Sequence, residues 1–242
     1  MRKRTIIALI IATSLIVLGG MIFGGAMNMF KWDFNKLSTN KRETNEYTIS
    51  ESYQNISVVT RTADVVLMPS ETAETKVVCK EQARLKHSVT VKDNTLVIEL
   101  VDTQKWHDYF MNFAITKVTV YVPASQLDTV SVKNSTGKVS IQAIPTTEKV
   151  SISNSTGDVS LHNVLATGKI SITNSTGNVK FKDCDAETIY VKNSTGDVTG
   201  NFLTEKQFIT RVSTGDVKVP QSETGGRCEI ITNTGDIRFT IG

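Results

Sequence analysis

The sequence predicts an all-β protein: a single-stranded parallel β-helix (β-solenoid) with coils of about 20 residues, preceded by one N-terminal transmembrane helix. Three observations predict it. First, Asn-Ser-Thr-Gly recurs at Asn134–Gly137, Asn154–Gly157, Asn174–Gly177 and Asn193–Gly196, with weaker copies at Val212–Gly215 and Thr232–Gly235. The glycines of these six copies lie 20, 20, 19, 19 and 20 residues apart, and self-similarity at a fixed period marks one structural unit stacked on itself. Second, apolar and polar residues alternate with period two on both sides of each glycine, the pattern of half-buried strands. Third, an uninterrupted apolar run opens the chain.

The N-terminus comes first. The formal net charge is +3, and Arg2, Lys3 and Arg4 account for all of it. Without them 24 basic residues face 24 acidic ones, so the basic balance belongs to the tip 1–4 and no nucleic-acid surface is indicated. Residues 5–30 carry no charge before Lys31. About 20 apolar residues span a bilayer, and this run is longer than the core of a cleavable signal peptide. The reading is a signal-anchor helix with its basic end in the cytoplasm and the C-terminal domain extracytoplasmic. A cleaved signal peptide is the alternative, with Gly24-Gly25-Ala26 as its candidate processing site. Gly20 and Gly24 have the spacing that lets two membrane helices approach closely.

Residues 31–46 read as a polar juxtamembrane linker, with Trp32 and Phe34 suited to the membrane interface. Residues 47–127 read as irregular N-terminal rungs. Ile56–Thr60 and Asp64–Met68 flank Arg61-Thr62-Ala63, a degenerate rung without its glycine. Further strand-like runs are Lys76–Cys79, His87–Val91, Thr95–Leu100 and Ile115–Val122, with Asp93-Asn94 as a turn. Between the last two lies an aromatic excursion, 104–114, holding Trp106, Tyr109, Phe110 and Phe113. Aromatics bury large apolar areas, so this segment is expected either to cover the first coil or to contact a partner or the membrane.

Residues 128–242 are the regular repeats. Seven and five residues before the glycine stand Val130/Val132, Val150/Ile152, Ile170/Ile172, Ile189/Val191, Phe208/Thr210 and Cys228/Ile230. Two and four residues after it stand Val139/Ile141, Val159/Leu161, Val179/Phe181, Val198/Gly200, Val217/Val219 and Ile237/Phe239. Each unit is strand, tight turn, strand, connection. Stacked in parallel, like residues fall on like about 4.8 Å apart and build one core. A sandwich of antiparallel hairpins is the alternative. The structural turn residues are Gly137, Gly157, Gly177, Gly196, Gly215 and Gly235. Asn134, Asn154, Asn174 and Asn193 share the inward parity and would form an amide ladder or turn the corner in a left-handed conformation. Directly after the glycines come Lys138, Asp158, Asn178, Asp197, Asp216 and Asp236, pointing outward. Stacked carboxylates repel; calcium could bridge them, although the glycine-rich calcium nonapeptide of β-rolls is absent.

The sequence carries few chemistry-bearing motifs. Cys184 and Cys228 occupy core positions about three coils apart, roughly 14 Å by the strand spacing and beyond disulfide reach. Cys79 reads as a strand residue. His87, His107 and His162 have no paired metal-ligand spacing. Ser-x-x-Lys at Ser38–Lys41 and Ser135–Lys138 lacks companion motifs. The expectation is no catalytic residue, no metal site and no cofactor.

The repeated Val-Ser-Ile-Ser-Asn-Ser-Thr-Gly-Asp-Val-Ser-Leu, together with Val118-Thr-Val-Tyr-Val-Pro123, resembles the bacterial "putative adhesin" β-strand-repeat family, a domain of unknown function that includes LiaG-like cell-envelope proteins of Gram-positive bacteria. The resemblance covers residues 47–242. It implies a membrane-anchored extracytoplasmic parallel β-helix and no catalytic residues. The expected function is a non-enzymatic cell-envelope module for interaction, adhesion or envelope stress. The alternative is a β-helix that binds or processes surface polysaccharide. Expected partners are the membrane, through one helix, and another envelope protein or a second copy. Because the chain stops just past its last repeat, the C-terminal coil is expected to be the open end where such a partner adds.

Overall fold

A computed structural model of the chain describes residues 3–29, 42–82, 85–102, 116–124, 127–144 and 147–242. It divides into two units, Met1–Lys41 with Lys105–Ala114, and Arg42–Gln104 with Ile115–Gly242. In the first, helix α1 runs Lys3–Met29. Leu15, Ile16, Val17 and Leu18 point in four directions around one helical turn. All four are more than half exposed, as are Met21, Ile22 and Phe23. Among the described residues no helix is long and apolar enough to cross a membrane. The aromatic excursion 104–114, with Trp106, Tyr109, Phe110 and Phe113, and most of the linker lie outside the described residues.

The second unit is entirely β. Its irregular part comprises β1 (Arg42–Ile49), β2 (Asn55–Val59), β3 (Ala63–Pro69), β4 (Thr75–Gln82), β5 (Leu85–Lys92), β6 (Thr95–Asp102) and β7 (Thr116–Val122). The repeats supply β8 (Leu127–Thr136), β9 (Val139–Gln142), β10 (Thr147–Thr156), β11 (Val159–His162), β12 (Leu165–Thr176) and β13 (Val179–Thr195). They continue with β14 (Val198–Phe202), β15 (Lys206–Thr214), β16 (Val217–Lys218), β17 (Gly226–Thr234) and β18 (Ile237–Ile241). Strand β1 starts at Arg42, inside the stretch 31–46 read as linker: it pairs antiparallel with β4 from Arg42↔Gln82 to Ile49↔Thr75. Residues 42–46 of that stretch are therefore strand, not linker; β1 is polar and alternates weakly, so only its partner reveals it.

The repeats stack in parallel and in register, as Val150↔Ile170, Ile152↔Ile172 and Asn154↔Asn174 illustrate. Strands before the glycine turn form one face and strands after it the other. Between the faces lies one continuous core, in which Val130, Val139, Val150, Val159, Ile170, Val179, Ile189 and Val198 have no exposed surface. Parallel stacking rather than hairpin pairing follows from the repeat itself, since identical rows are satisfied only by identical rows above and below. At the N-terminal end antiparallel strands join: β5 on β6, and β4 on β7. Asp93 and Asn94 both take positive φ (48° and 59°) in the β5–β6 turn, a conformation that these two residue types tolerate.

The order of coils departs from the order of the chain at both ends. The coil β2–β3 lies between β6–β7 and β8–β9. At the other end β17–β18 pairs with β13 and β14 on one side and with β15 and β16 on the other. The last coil in sequence is therefore interior, and the penultimate coil, 206–219, ends the stack. This corrects the expectation that the C-terminal coil is open. Burial explains the choice. Cys228, Ile230, Ile237 and Phe239 are all buried in the inserted coil, whereas the terminal coil carries Thr210 in a core row and leaves Val217 42% exposed. The more apolar coil takes the position covered on two sides.

Candidate functional site

Three arrangements of side chains stand out: the turn column, a buried cluster at the N-terminal end and the open coil at the other end.

In the turn column the glycines have φ between +128° and +136° at Gly137, Gly157, Gly177, Gly196, Gly215 and Gly235. A side chain is also excluded by space: a Cβ on Gly157 would sit 2.2 Å from the Gly137 carbonyl oxygen. The buried asparagines lie just beneath. Asn154 Nδ2 donates to the carbonyls of Gly137 (3.3 Å) and Gly157 (3.1 Å), and Asn193 Nδ2 to those of Gly177 (3.0 Å) and Gly196 (2.9 Å). Asn134 Nδ2 serves Ala63 and Gly137, and Asn174 Nδ2 serves Gly177. One amide–amide bond is present, Asn154 Nδ2 to Asn174 Oδ1 at 3.2 Å. The asparagines thus bond chiefly to turn carbonyls, which the tight bend leaves without strand partners.

The outward column beside the glycines is also hydrogen-bonded. The Asp236 backbone N–H donates to Asp197 Oδ1 (2.9 Å), and that of Asp216 to Asp236 Oδ1 (2.7 Å). Asp197 N–H donates to Asn178 Oδ1 and Asn178 N–H to Asp158 Oδ1, both at 2.9 Å. The carboxylates of Asp158, Asp197 and Asp236 therefore each meet the amide of the next coil, which offsets repulsion within the column. The amide of Asp216 chiefly, with Arg238 adding its charge, holds the Asp236 carboxyl below the usual range. The column ends on Asp216, in the terminal coil.

At the N-terminal end β4 and β5 bring Cys79, Glu81 and His87 together, all buried, with their donor atoms within 4.8 Å of one another. Glu81 Oε2 accepts from the His87 backbone N–H and contacts His87 Nδ1, both at 2.7 Å. Glu81 Oε1 accepts from Asn45 Nδ2 (2.7 Å), and His87 Nε2 lies 3.1 Å from Thr60 Oγ1. Tyr47 Oη donates to the His87 carbonyl at 3.3 Å. Burial works to raise the Glu81 pKa, but the hydrogen bonds from His87 and Asn45 outweigh it and hold the carboxyl below its usual range. Burial, with Glu81 alongside, pushes the Cys79 thiol up to about 12. The scattered-histidine reading missed this cluster. Its signal was available: Cys79 and Glu81 are two apart on one strand and so share a face, and the β4–β5 reversal folds His87 onto them.

At the opposite end the terminal coil exposes what other coils bury. Phe208, Val212 and Val219 are only partly buried although they occupy core rows. They belong to an end surface where a cleft of about 620 Å³ is lined by Phe208, Thr210, Val217, Val219, Pro220 and Glu223 among others. Strand β15 pairs with β17 alone among the described residues, so its other edge has free backbone groups. Behind it, Phe239 stacks on Phe202 with ring centroids 4.8 Å apart. Gly200 makes room for this aromatic layer, since a Cβ there would lie 2.1 Å from the Phe181 carbonyl oxygen.

The three cysteines are free and buried. Cys184 and Cys228 are two coils apart rather than three, because the last coil is inserted next to Cys184's neighbour.

Fold and site together define a parallel β-solenoid module with a capped end, an open end and glycine-centred turns. The chain belongs to the Toastrack DUF4097 family, whose model matches residues 53–242. No curated protein sequence matches it. Among solved structures it is similar to a "putative cell adhesion protein" from Clostridium sporogenes, at 11% identity and TM-score 0.48, covering 84% of this chain and 100% of that one. It is also similar to a "putative adhesin" from Bacteroides fragilis, at 18% identity and TM-score 0.47, covering 84% and 99% of the two chains.

Proposed function

We propose that the protein is a non-enzymatic, membrane-anchored, extracytoplasmic interaction module that receives a strand from another envelope protein along β15. The open terminal coil carries this reading. Its edge backbone groups are unpaired among the described residues, and its core-row side chains Phe208, Val212 and Val217 are incompletely covered. An added strand with alternating apolar residues satisfies both deficits, as in β-augmentation. The membrane anchor is supported by the apolar side chains exposed all round α1 and by Arg2-Lys3-Arg4 ahead of them. A photo-crosslinking residue in place of Ile209, at the edge, is expected to capture an envelope protein in living cells, whereas one in place of Ser153, mid-solenoid, captures none. Equal labelling from both positions overturns the edge reading, and capture of a second copy reassigns it to self-association. Extraction of the full chain by alkaline carbonate would overturn the anchor.

A further inference from the structure

We propose that Cys79, Glu81 and His87 form a zinc site that clips together β1, β4 and β5 at the N-terminal end of the solenoid. This goes beyond the proposed interaction role and does not depend on it.

Four observations carry the inference. The three side chains are a thiol, a carboxyl and an imidazole, the donor set that zinc takes in proteins. Their donor atoms lie within 4.8 Å of one another, and a tetrahedral zinc with bonds of 2.0–2.3 Å holds its ligand atoms about 3.3–3.7 Å apart, so small rotamer shifts suffice. The outer partners that zinc ligands require are already in position. With metal on Nδ1, His87 keeps its Nε2–H for Thr60 Oγ1 at 3.1 Å, and Glu81 keeps Asn45 Nδ2 on its other oxygen at 2.7 Å. Finally, charge balances. Cys79 and Glu81 are both buried, and a thiolate, a carboxylate and a neutral imidazole cancel the two charges of the ion, so no net charge is left inside.

In binding, zinc forms bonds to Cys79 Sγ, a Glu81 oxygen and His87 Nδ1. The Cys79 thiol proton and any proton on Nδ1 leave to solvent; no electron is transferred. Among the described residues no fourth donor of this kind joins the three, so the fourth position falls to water. The site ties the otherwise polar strand β1, through Asn45 and Tyr47, to the strands that cover the first coils. It acts as a clip on these strands.

The test is cobalt titration of the full chain, purified in detergent and freed of metal by chelation. One equivalent of cobalt per chain is expected to give the near-ultraviolet thiolate-to-metal band and the visible bands of a tetrahedral site. Zinc is expected to displace it with the same stoichiometry and to raise the melting temperature. Cys79→Ser is expected to abolish the near-ultraviolet band and His87→Gln to weaken binding at least tenfold. Cys184→Ser, in the core elsewhere, keeps the spectrum unchanged. The unmutated protein decides the matter even if Cys79→Ser fails to fold: absence of a thiolate band, or less than a tenth of an equivalent of bound zinc, overturns the site. Retention of the band in a folded Cys79→Ser protein overturns it equally.

Discussion

Lys206 Nζ lies 2.5 Å from Asp185 Oδ1, reaching across the coil that holds Gly226. Lys206 starts the terminal coil and Asp185 starts the coil two places inward, with the last coil of the sequence threaded between them. The lysine is 2% exposed and also bonds Thr204 Oγ1. Gly225 and Gly226 open the passage: a Cβ on Gly225 would lie 1.9 Å from the Glu205 carbonyl oxygen, and one on Gly226 2.3 Å from that of Glu187. The ion pair clamps the inserted coil. Breaking a buried pair from one side strands the other charge and costs about 3 kcal/mol, whereas removing both partners is close to neutral. Asp185 keeps some solvent, which moderates the loss. Denaturant unfolding is expected to show Lys206→Met destabilised by about 2–3 kcal/mol and Lys206→Met with Asp185→Asn restored to within about 1 kcal/mol.

The turn column predicts unequal costs for neighbouring substitutions. Gly157→Ala imposes both a left-handed backbone strain and a clash with the Gly137 carbonyl, and is expected to cost more than about 2 kcal/mol. Asn154→Ala removes the donor to two turn carbonyls and is expected to cost about 1–3 kcal/mol. Ser155→Ala, exposed on the same turn, is expected to change stability by less than about 0.5 kcal/mol. Thermal melts of the three variants check the order.

Acid is expected to weaken the N-terminal end. The folded-state pKa of Glu81 lies below the unfolded value of 4.5. Its contribution is therefore complete above the unfolded value and is lost as pH falls through the folded one. Stability of the metal-free protein should decline below about pH 4.5, and Glu81→Gln should flatten that limb while lowering stability at neutral pH. Unfolding curves at a series of pH values measure both effects.

The thiols should be inert in the folded, metal-free protein. Burial pushes Cys79 and Cys228 up to about 12 and raises Cys184 as well, and the thiolate is the reactive form. Iodoacetamide at neutral pH is expected to label none of the three before unfolding and all three after it, as counted by mass spectrometry. Unchanged gel mobility with and without reductant is the companion result.

Much of the repeat architecture was legible because its causes are local. A glycine that must adopt positive φ, and apolar residues on alternate positions, announce themselves at each repeat. The clamp and the buried cluster were not legible in the same way. Lys206 reads as a solvated surface lysine, because nothing nearby in sequence tells that its ammonium meets Asp185 over a glycine. Cys79 reads as a strand residue and His87 as one of three scattered histidines, because the reversal that brings β5 back against β4 has no Gly or Pro turn signal. The role of Gly225-Gly226 depends on the carbonyls of Glu205 and Glu187 that the chain must pass there, which only the folded structure brings near.

The sequence alone determined the coil: its period, its two strands, which side chains face inward and where the backbone turns. Those properties follow from alternation and backbone sterics within some twenty residues. The tertiary structure decided the order in which coils lie, and so which one is left open. All coils carry nearly the same rows, so local pattern makes many neighbours acceptable. The choice falls to burial summed over whole coils, to the room left by Gly225 and Gly226, and to the pair Lys206–Asp185 that closes over them.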